Sequence, residues 1–177
     1  HRDRVYLLQL STRSETFLVD PLAVPGLQGF GALLANPDVE CIFHDADYDL
    51  RLLGHEFGFT AGRLFDTRVA AQFLNEPGIG LAALLEKYIG VKPDKRFQRA
   101  DWSQRPLAPP MLEYAAMDTR HLPALSDILR CKLQEKNRLA WVAEECVLLT
   151  RVRWPEAASP ELAALTVKGA RALSLRA

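Results

Sequence analysis

Glu40-Cys41-Ile42-Phe43-His44-Asp45-Ala46-Asp47-Tyr48-Asp49-Leu50-Arg51-Leu52-Leu53 decides the fold of this chain. The first four residues form a compact apolar strand, and from Asp45 the pattern becomes helical. Asp45 stands where a helix N-cap belongs, and Asp47 falls in the first turn, where the helix dipole favours negative charge. Both acids therefore have an adequate structural explanation. Asp49 lies one turn in, and Leu50, Leu53 and Phe57 place its side of the helix near the core. An ionised carboxylate there is unfavourable unless something cationic compensates it.

A short hairpin precedes this strand–helix unit. Val5 to Leu10 and Thr16 to Val19 are β-type runs separated by Ser11-Thr12-Arg13-Ser14, and Asp20-Pro21 stops the second. Gly26 to Leu34 reads as a helix ending near Asn36-Pro37. Downstream, Arg63-Leu64-Phe65 is another short strand, followed by helical patterns over Thr67 to Leu74 and Leu81 to Tyr88. Residues 91–108 look irregular. Pro109-Pro110 opens a long helix whose apolar face is Leu122, Leu125, Ile128 or Leu129, and Leu133, with a kink expected at Pro123. Another amphipathic helix covers Ala140 to Val152. Strand followed by helix, after a hairpin, is the order of an α/β domain with a mixed sheet flanked by helices.

The bulk numbers narrow the functional class. With 177 residues, 49% hydrophobic and 25% charged, the chain resembles an ordinary globular protein. Net charge is zero and the isoelectric point about 7.1, so binding of a polyanion requires a local patch. Cys41, Cys131 and Cys146 are odd in number and form no C-x-x-C pair, which disfavours a zinc site and suits a reducing compartment. The apolar stretches are far shorter than the ~20 residues that span a bilayer. The expectation is a cytoplasmic protein with no membrane association.

A second carboxylate answers the first. Tyr114 and Asp118 are four residues apart and share one helical face, which Leu122, Leu125 and Leu129 continue into the core. Taken alone, the pair could be a tyrosine hydroxyl bonded to a helical carboxylate. Two acids from distant parts of the chain, each within an apolar pattern, point instead to a shared divalent-metal site. Between them, residues 92–105 carry Lys92, Lys95, Arg96, Arg99 and Arg105 against Asp94 and Asp101, interleaved with Phe97 and Trp102. Cations beside aromatic rings suit single-stranded nucleic acid, phosphates on the former and bases stacked on the latter. Trp102 could equally anchor the loop.

The ordered segments His44-x-x-x-x-Asp49-Leu50, Phe65-Asp66-Thr67, Asp94-Lys95, Asp101-Trp102-Ser103-Gln104-Arg105-Pro106-Leu107 and Tyr114-x-x-x-Asp118 closely resemble ribonuclease D and the related exonuclease of the nuclear exosome. These enzymes form the tyrosine-bearing branch of the DEDD superfamily, and the likeness runs from about Val5 to Val152. It implies a ribonuclease-H-like fold and two-metal 3′→5′ hydrolysis of single-stranded RNA ends, with tRNA precursors among the candidate substrates, releasing nucleoside 5′-monophosphates. Asp49 matches the second family motif, and Tyr114 and Asp118 the third. Asp49 and Asp118 would ligate two Mg²⁺ or Mn²⁺ ions, and Tyr114 would orient the attacking water. Lys95 and Arg105 could hold phosphates. His44 either lines the pocket or serves as a structural histidine at the strand end. The implied organisation is an exonuclease body at 1–153, a linker at 154–160, and at 161–177 the opening of an HRDC-like helical domain.

The family's first motif, Asp-x-Glu on an opening strand, finds no match. Asp38-Val39-Glu40 has the letters but enters the strand at the end opposite His44, and is expected to be a surface turn. The expectation is therefore a longer protein trimmed at both ends, with little activity from the chain alone. Two other functions stay open: a degenerate module that binds nucleic acid or a protein without cutting, and an exonuclease directed at DNA.

Overall fold

The computed structural model describes residues 4–94 and 96–155. Lys95, the distal part of the expected linker and the HRDC-like fragment 161–177 lie outside the described residues. Residues 4–7 lead into a hairpin of β1 (Leu8–Ser11) and β2 (Thr16–Val19), antiparallel with Leu8 opposite Val19. Helix α1 (Gln28–Ala35) leads to β3 (Glu40–Phe43), then α2 (Ala46–Phe57) and β4 (Arg63–Asp66), which pairs parallel with β3, Phe43 opposite Asp66. This parallel β3–α2–β4 unit is the crossover that the strand–helix pattern predicts. Gly58 ends α2 in the left-handed conformation, φ 71°, where a side chain would be strained.

The remaining chain is helical: α3 (Thr67–Phe73), α4 (Leu81–Ile89), α5 (Pro109–Arg120), α6 (Leu122–Glu135) and α7 (Leu139–Leu149). The expected long kinked helix is instead two helices. It breaks at His121, and Pro123 sits in the first turn of α6, where its missing N–H leaves no intrahelical bond unmade. The apolar face of α6 lies where the periodicity puts it, with Leu125, Leu129 and Leu133 fully buried and Ile128 at its margin.

Both kinds of strand pairing are present, but among the described residues the two ladders are not hydrogen-bonded to each other. The core divides in the same way. Leu64, Phe65, Leu84, Leu125 and Leu129 belong to a cluster under β3 and β4, while Val5, Leu8, Leu34, Leu52 and Leu53 form another between the hairpin, α1 and α2. A groove of about 530 Å³ runs between β1 and β3, floored by Phe30, Leu33 and Leu34 of α1. All four residues of β3 are only half-buried in consequence.

Asp38 and Val39 do form a turn, but Glu40 belongs to β3, where it pairs with Arg63 at 3.3 Å and with Arg130. It is a structural acid at the strand end remote from His44. The three cysteines are all free thiols. No helix among the described residues is long and apolar enough to cross a membrane.

Candidate active site

The entry to α2 is built by a residue in another strand. Asp66, the last residue of β4, is fully buried. Its oxygens accept four backbone N–H bonds: from Asp45 at 3.1 Å and Ala46 at 2.7 Å, where α2 begins, and from Arg68 at 2.7 Å and Val69 at 3.2 Å, where α3 begins. One carboxylate thus caps two helices, and its negative charge meets the positive end of both dipoles. The cap expected from Asp45 is not made by its own side chain. Asp45 adopts φ 68°, a left-handed conformation that Asp tolerates better than most residues, and this turns its N–H toward Asp66. Its carboxylate pairs with Arg68 instead. Asp47 makes an i,i+4 ion pair with Arg51 at 2.6 Å, which holds its pKa below the usual carboxylate value.

Asp49 follows one turn later and faces the second acid. The helix carrying Tyr114 and Asp118, α5, packs on the hairpin. Thr119 Oγ1 lies 2.7 Å from Ser11 Oγ, which is itself 2.8 Å from Thr16 Oγ1, so the residue next to Asp118 is tied to β1. Arg13 holds Asp127 of α6 through two hydrogen bonds of 2.7 and 3.1 Å. Asp49, Tyr114 and Asp118 line one cleft of about 560 Å³, together with Gln98, Trp102 and residues 4–9. Asp49 and Asp118 also border the groove between β1 and β3, and His44 joins them there.

The electrostatics of the two acids are alike. Burial, reinforced by the charges of Asp45, Asp66 and Asp118, pushes the Asp49 carboxyl up to about 6. Burial alone raises Asp118 to about 6. Measured by surface area both residues are open to solvent, so the concave walls of the cleft, rather than full enclosure, withhold water from the carboxylates. Among the described residues neither accepts a hydrogen bond or meets a cation. Uncompensated facing carboxylates are hard oxygen donors of the kind a divalent cation requires. Among the described residues no group of three His, Cys, Asp or Glu could hold a metal ion.

Tyr114 is braced by aromatic rings. Phe97 meets it edge-on and Trp102 at a tilt, each 6.0 Å between centroids. Burial, then the charges of Asp118 and Asp94, raise its pKa, so the phenol is a protonated donor at neutral pH. Burial lowers the pKa of His44. Its Nδ1 lies 2.9 Å from the Thr67 hydroxyl, which donates its only hydrogen to the Phe43 carbonyl. Nδ1–H must therefore be the donor to Thr67, leaving Nε2 of the neutral ring as an acceptor.

Arg105, expected to hold a phosphate, spends its donors inside the fold. Nε and one terminal nitrogen bond Asp20 at 2.5 and 2.9 Å, and the remaining donors reach the carbonyls of Trp102, Gln104 and Tyr6 at 2.9, 2.6 and 2.6 Å. All five guanidinium hydrogens are committed within the fold. Sequence reasoning missed Asp66 and Asp20. Asp66-Thr67 at a strand–helix junction is a recognisable capping signal, whereas nothing local links Asp20 to Arg105 across 85 positions.

The sequence pattern of the 3′-5′ exonuclease family matches residues 1–134. The chain belongs to this family. Among curated relatives, the exosome complex exonuclease RRP6 of Saccharomyces cerevisiae is 40% identical over 142 residues, 80% of this chain and 19% of that protein. Ribonuclease D of Gluconacetobacter diazotrophicus is 37% identical over 157 residues, 84% of this chain and 40% of that one. The chain spans less than half the length of these relatives. Its fold superimposes on the catalytic core of RRP6 from Trypanosoma brucei with a TM-score of 0.82 and 34% identity, covering 90% of this chain and 46% of that one. Escherichia coli RNase D, described as an exoribonuclease in structured RNA processing, gives 0.78 and 31%, covering 85% and 42%. The α/β fold is therefore of the ribonuclease-H-like exonuclease type. A structure of Brucella melitensis NrnC with bound Mg²⁺ also matches, with a TM-score of 0.77 and 25% identity over 85% of this chain and 75% of that one.

Proposed function

We propose that this chain is the catalytic body of a 3′-5′ exoribonuclease of the ribonuclease D type, which hydrolyses the last phosphodiester of an RNA and releases a nucleoside 5′-monophosphate. One observation carries the proposal: Asp49 and Asp118, 69 positions apart in sequence, face one cleft with Tyr114 and have no compensating partner among the described residues. A salt bridge or a hydrogen-bond network would have compensated them had their role been structural.

Asp49 and Asp118 would hold Mg²⁺ or Mn²⁺, which when bound activates water and offsets charge on the departing oxygen. Two ions about 4 Å apart call for more carboxylates than these two. A strand seated in the groove between β1 and β3 would bring further donors to the same mouth. Tyr114, protonated, donates a hydrogen bond that orients the attacking water or a phosphate oxygen. His44 offers a neutral acceptor, suited to a ribose hydroxyl and not to a phosphate. Gln98 and Trp102 wall the cleft where the terminal nucleotide would sit, and a stacked base would find the indole there. The work sits in a cytoplasmic, reducing setting, in keeping with three free thiols.

The test uses the full natural protein and a 3′-hydroxyl RNA oligomer in Mg²⁺. Asp118→Ala should abolish trimming, and Tyr114→Phe should lower kcat on the order of 10²-fold, the scale of one positioned proton donor. Parent-like rates from both variants would sink the proposal. Binding without trimming by the natural protein would instead identify a nucleic-acid-binding module, and faster degradation of a matched DNA would redirect the chemistry.

A further inference from the structure

We propose that Arg105 is a positioning residue: it clamps the loop that carries Phe97 and Trp102 against Tyr114, and so sets the tyrosine hydroxyl in the cleft. The inference rests on the exonuclease reading above, and deepens it.

A phosphate-binding arginine keeps donors free. A guanidinium has five N–H hydrogens, and every one of them here has an acceptor in the fold. Two go to Asp20 just beyond β2, in the bidentate geometry that makes arginine–carboxylate pairs specific. Two more go to the Trp102 and Gln104 carbonyls of its own loop. The fifth goes to the Tyr6 carbonyl, in the leading segment that lines the cleft. Loop, hairpin exit and leading segment thus meet at one side chain.

The consequence reaches Tyr114 through rings. The described residues among 91–108 form turns and irregular backbone, with no helix or strand, so among them no backbone ladder fixes the loop. Its contact with α5 is made by Phe97 and Trp102, both 6.0 Å from the Tyr114 ring. Releasing the loop would free the phenol to turn. A misplacement of about 1 Å is enough to reduce catalysis on the order of 10²-fold.

Asp20 distinguishes the clamp from a phosphate site. It is not among the residues lining the cleft, and only the clamp requires it. In the full natural protein, Arg105→Gln and Asp20→Asn should each lower kcat about tenfold and leave KM within twofold. Arg105→Lys should fail to rescue, since an ammonium serves a phosphate but cannot replace the five-donor fork. Neither clamp variant should cause a further loss in a Tyr114→Phe background. Trypsin should cut the loop, at Arg96 or Arg99, several-fold faster in both variants. A raised KM in Arg105→Gln, with parent-like kinetics in Asp20→Asn, would overturn the clamp in favour of phosphate binding. Should the parent prove inactive on RNA, trypsin sensitivity still decides: unchanged cleavage in both variants refutes the clamp, and faster cleavage supports it while the exonuclease reading fails alone.

Discussion

Replacing Asp66 tests how the site is held. Its carboxylate accepts four backbone N–H bonds at two helix starts, and the residue is fully buried. Loss of an N-cap costs about 0.5–2 kcal/mol, and here two caps are lost at once. Asp66→Ala also leaves buried donors unmet, at about 1–3 kcal/mol each where water cannot reach. The total should be about 3–5 kcal/mol, a large part of the ~5–15 kcal/mol that holds a typical domain folded. Asp66→Asn keeps the Oδ1 acceptor for Asp45, Arg68 and Val69 but turns an NH₂ group toward the Ala46 N–H. It should cost about 1–2 kcal/mol, one buried hydrogen bond and its donor. Urea denaturation followed by circular dichroism measures both, and Asp66→Ala should lower Tm on the order of 10 °C. A loss below about 1 kcal/mol for Asp66→Ala, or equal losses for the two variants, would refute the double-cap account.

Other outcomes follow from the same geometry. Asp49 and Asp118 have folded pKa values of about 6 against 3.8 for the unconstrained carboxyl, so folding disfavours their charged forms. Their destabilising contribution is absent below the unfolded value and complete above the folded one, so their share of the stability of the metal-free chain should rise as pH falls from 7.5 to 5, against a loss from His44, whose pKa is lowered in the fold. Asp49→Asn should remove part of that rise and raise Tm at pH 7.5. Divalent-ion affinity should run the other way, weakening as pH falls through 6 because the ligands must lose protons; isothermal titration with Mn²⁺ at pH 5.5 and 7.5 measures it. Leu129→Ala, at a fully buried position of α6, should cost about 2–5 kcal/mol in chemical denaturation without altering Mn²⁺ affinity per folded molecule.

What the sequence discloses depends on how local its cause is. The β3–α2–β4 unit was legible because period-two and period-3.6 hydrophobic patterns are written into contiguous residues. So was the face of α6, set by Leu122, Leu125, Leu129 and Leu133. The break at His121 was less so, since one proline is compatible with a kink or a new helix, and packing decides. Asp49 and Asp118 could be singled out because each is an acid in an apolar pattern. Arg105 could not be understood in this way. A basic residue among aromatics looks the same whether its donors face a phosphate or an aspartate 85 positions earlier. Asp45 illustrates a subtler failure: it occupies the capping position, yet β4 delivers Asp66 to the same helix end with a better-placed carboxylate.

Asp66 and Asp49 together explain how such a site can exist. Two carboxylates facing one cleft without partners weaken the fold wherever they are ionised, and Asp49 also feels the charges of Asp45 and Asp66. Something must hold α2 in place against that repulsion. The buried cap does so, since its four hydrogen bonds fix the first turn of α2 and the start of α3 to the end of β4. The stabilising acid and the destabilised acid lie on opposite sides of one helix turn. A cation binding at Asp49 and Asp118 then meets acids already in position, and removes the repulsion instead of having to order the backbone. Divalent ions should accordingly raise Tm more in the parent than in Asp49→Asn, and Asp49→Asn should raise Tm more in the parent than in an Asp66→Asn background, where the charge of Asp66 is already gone. Equal gains from Asp49→Asn in the two backgrounds at pH 7.5 would show that the acids do not oppose each other through α2.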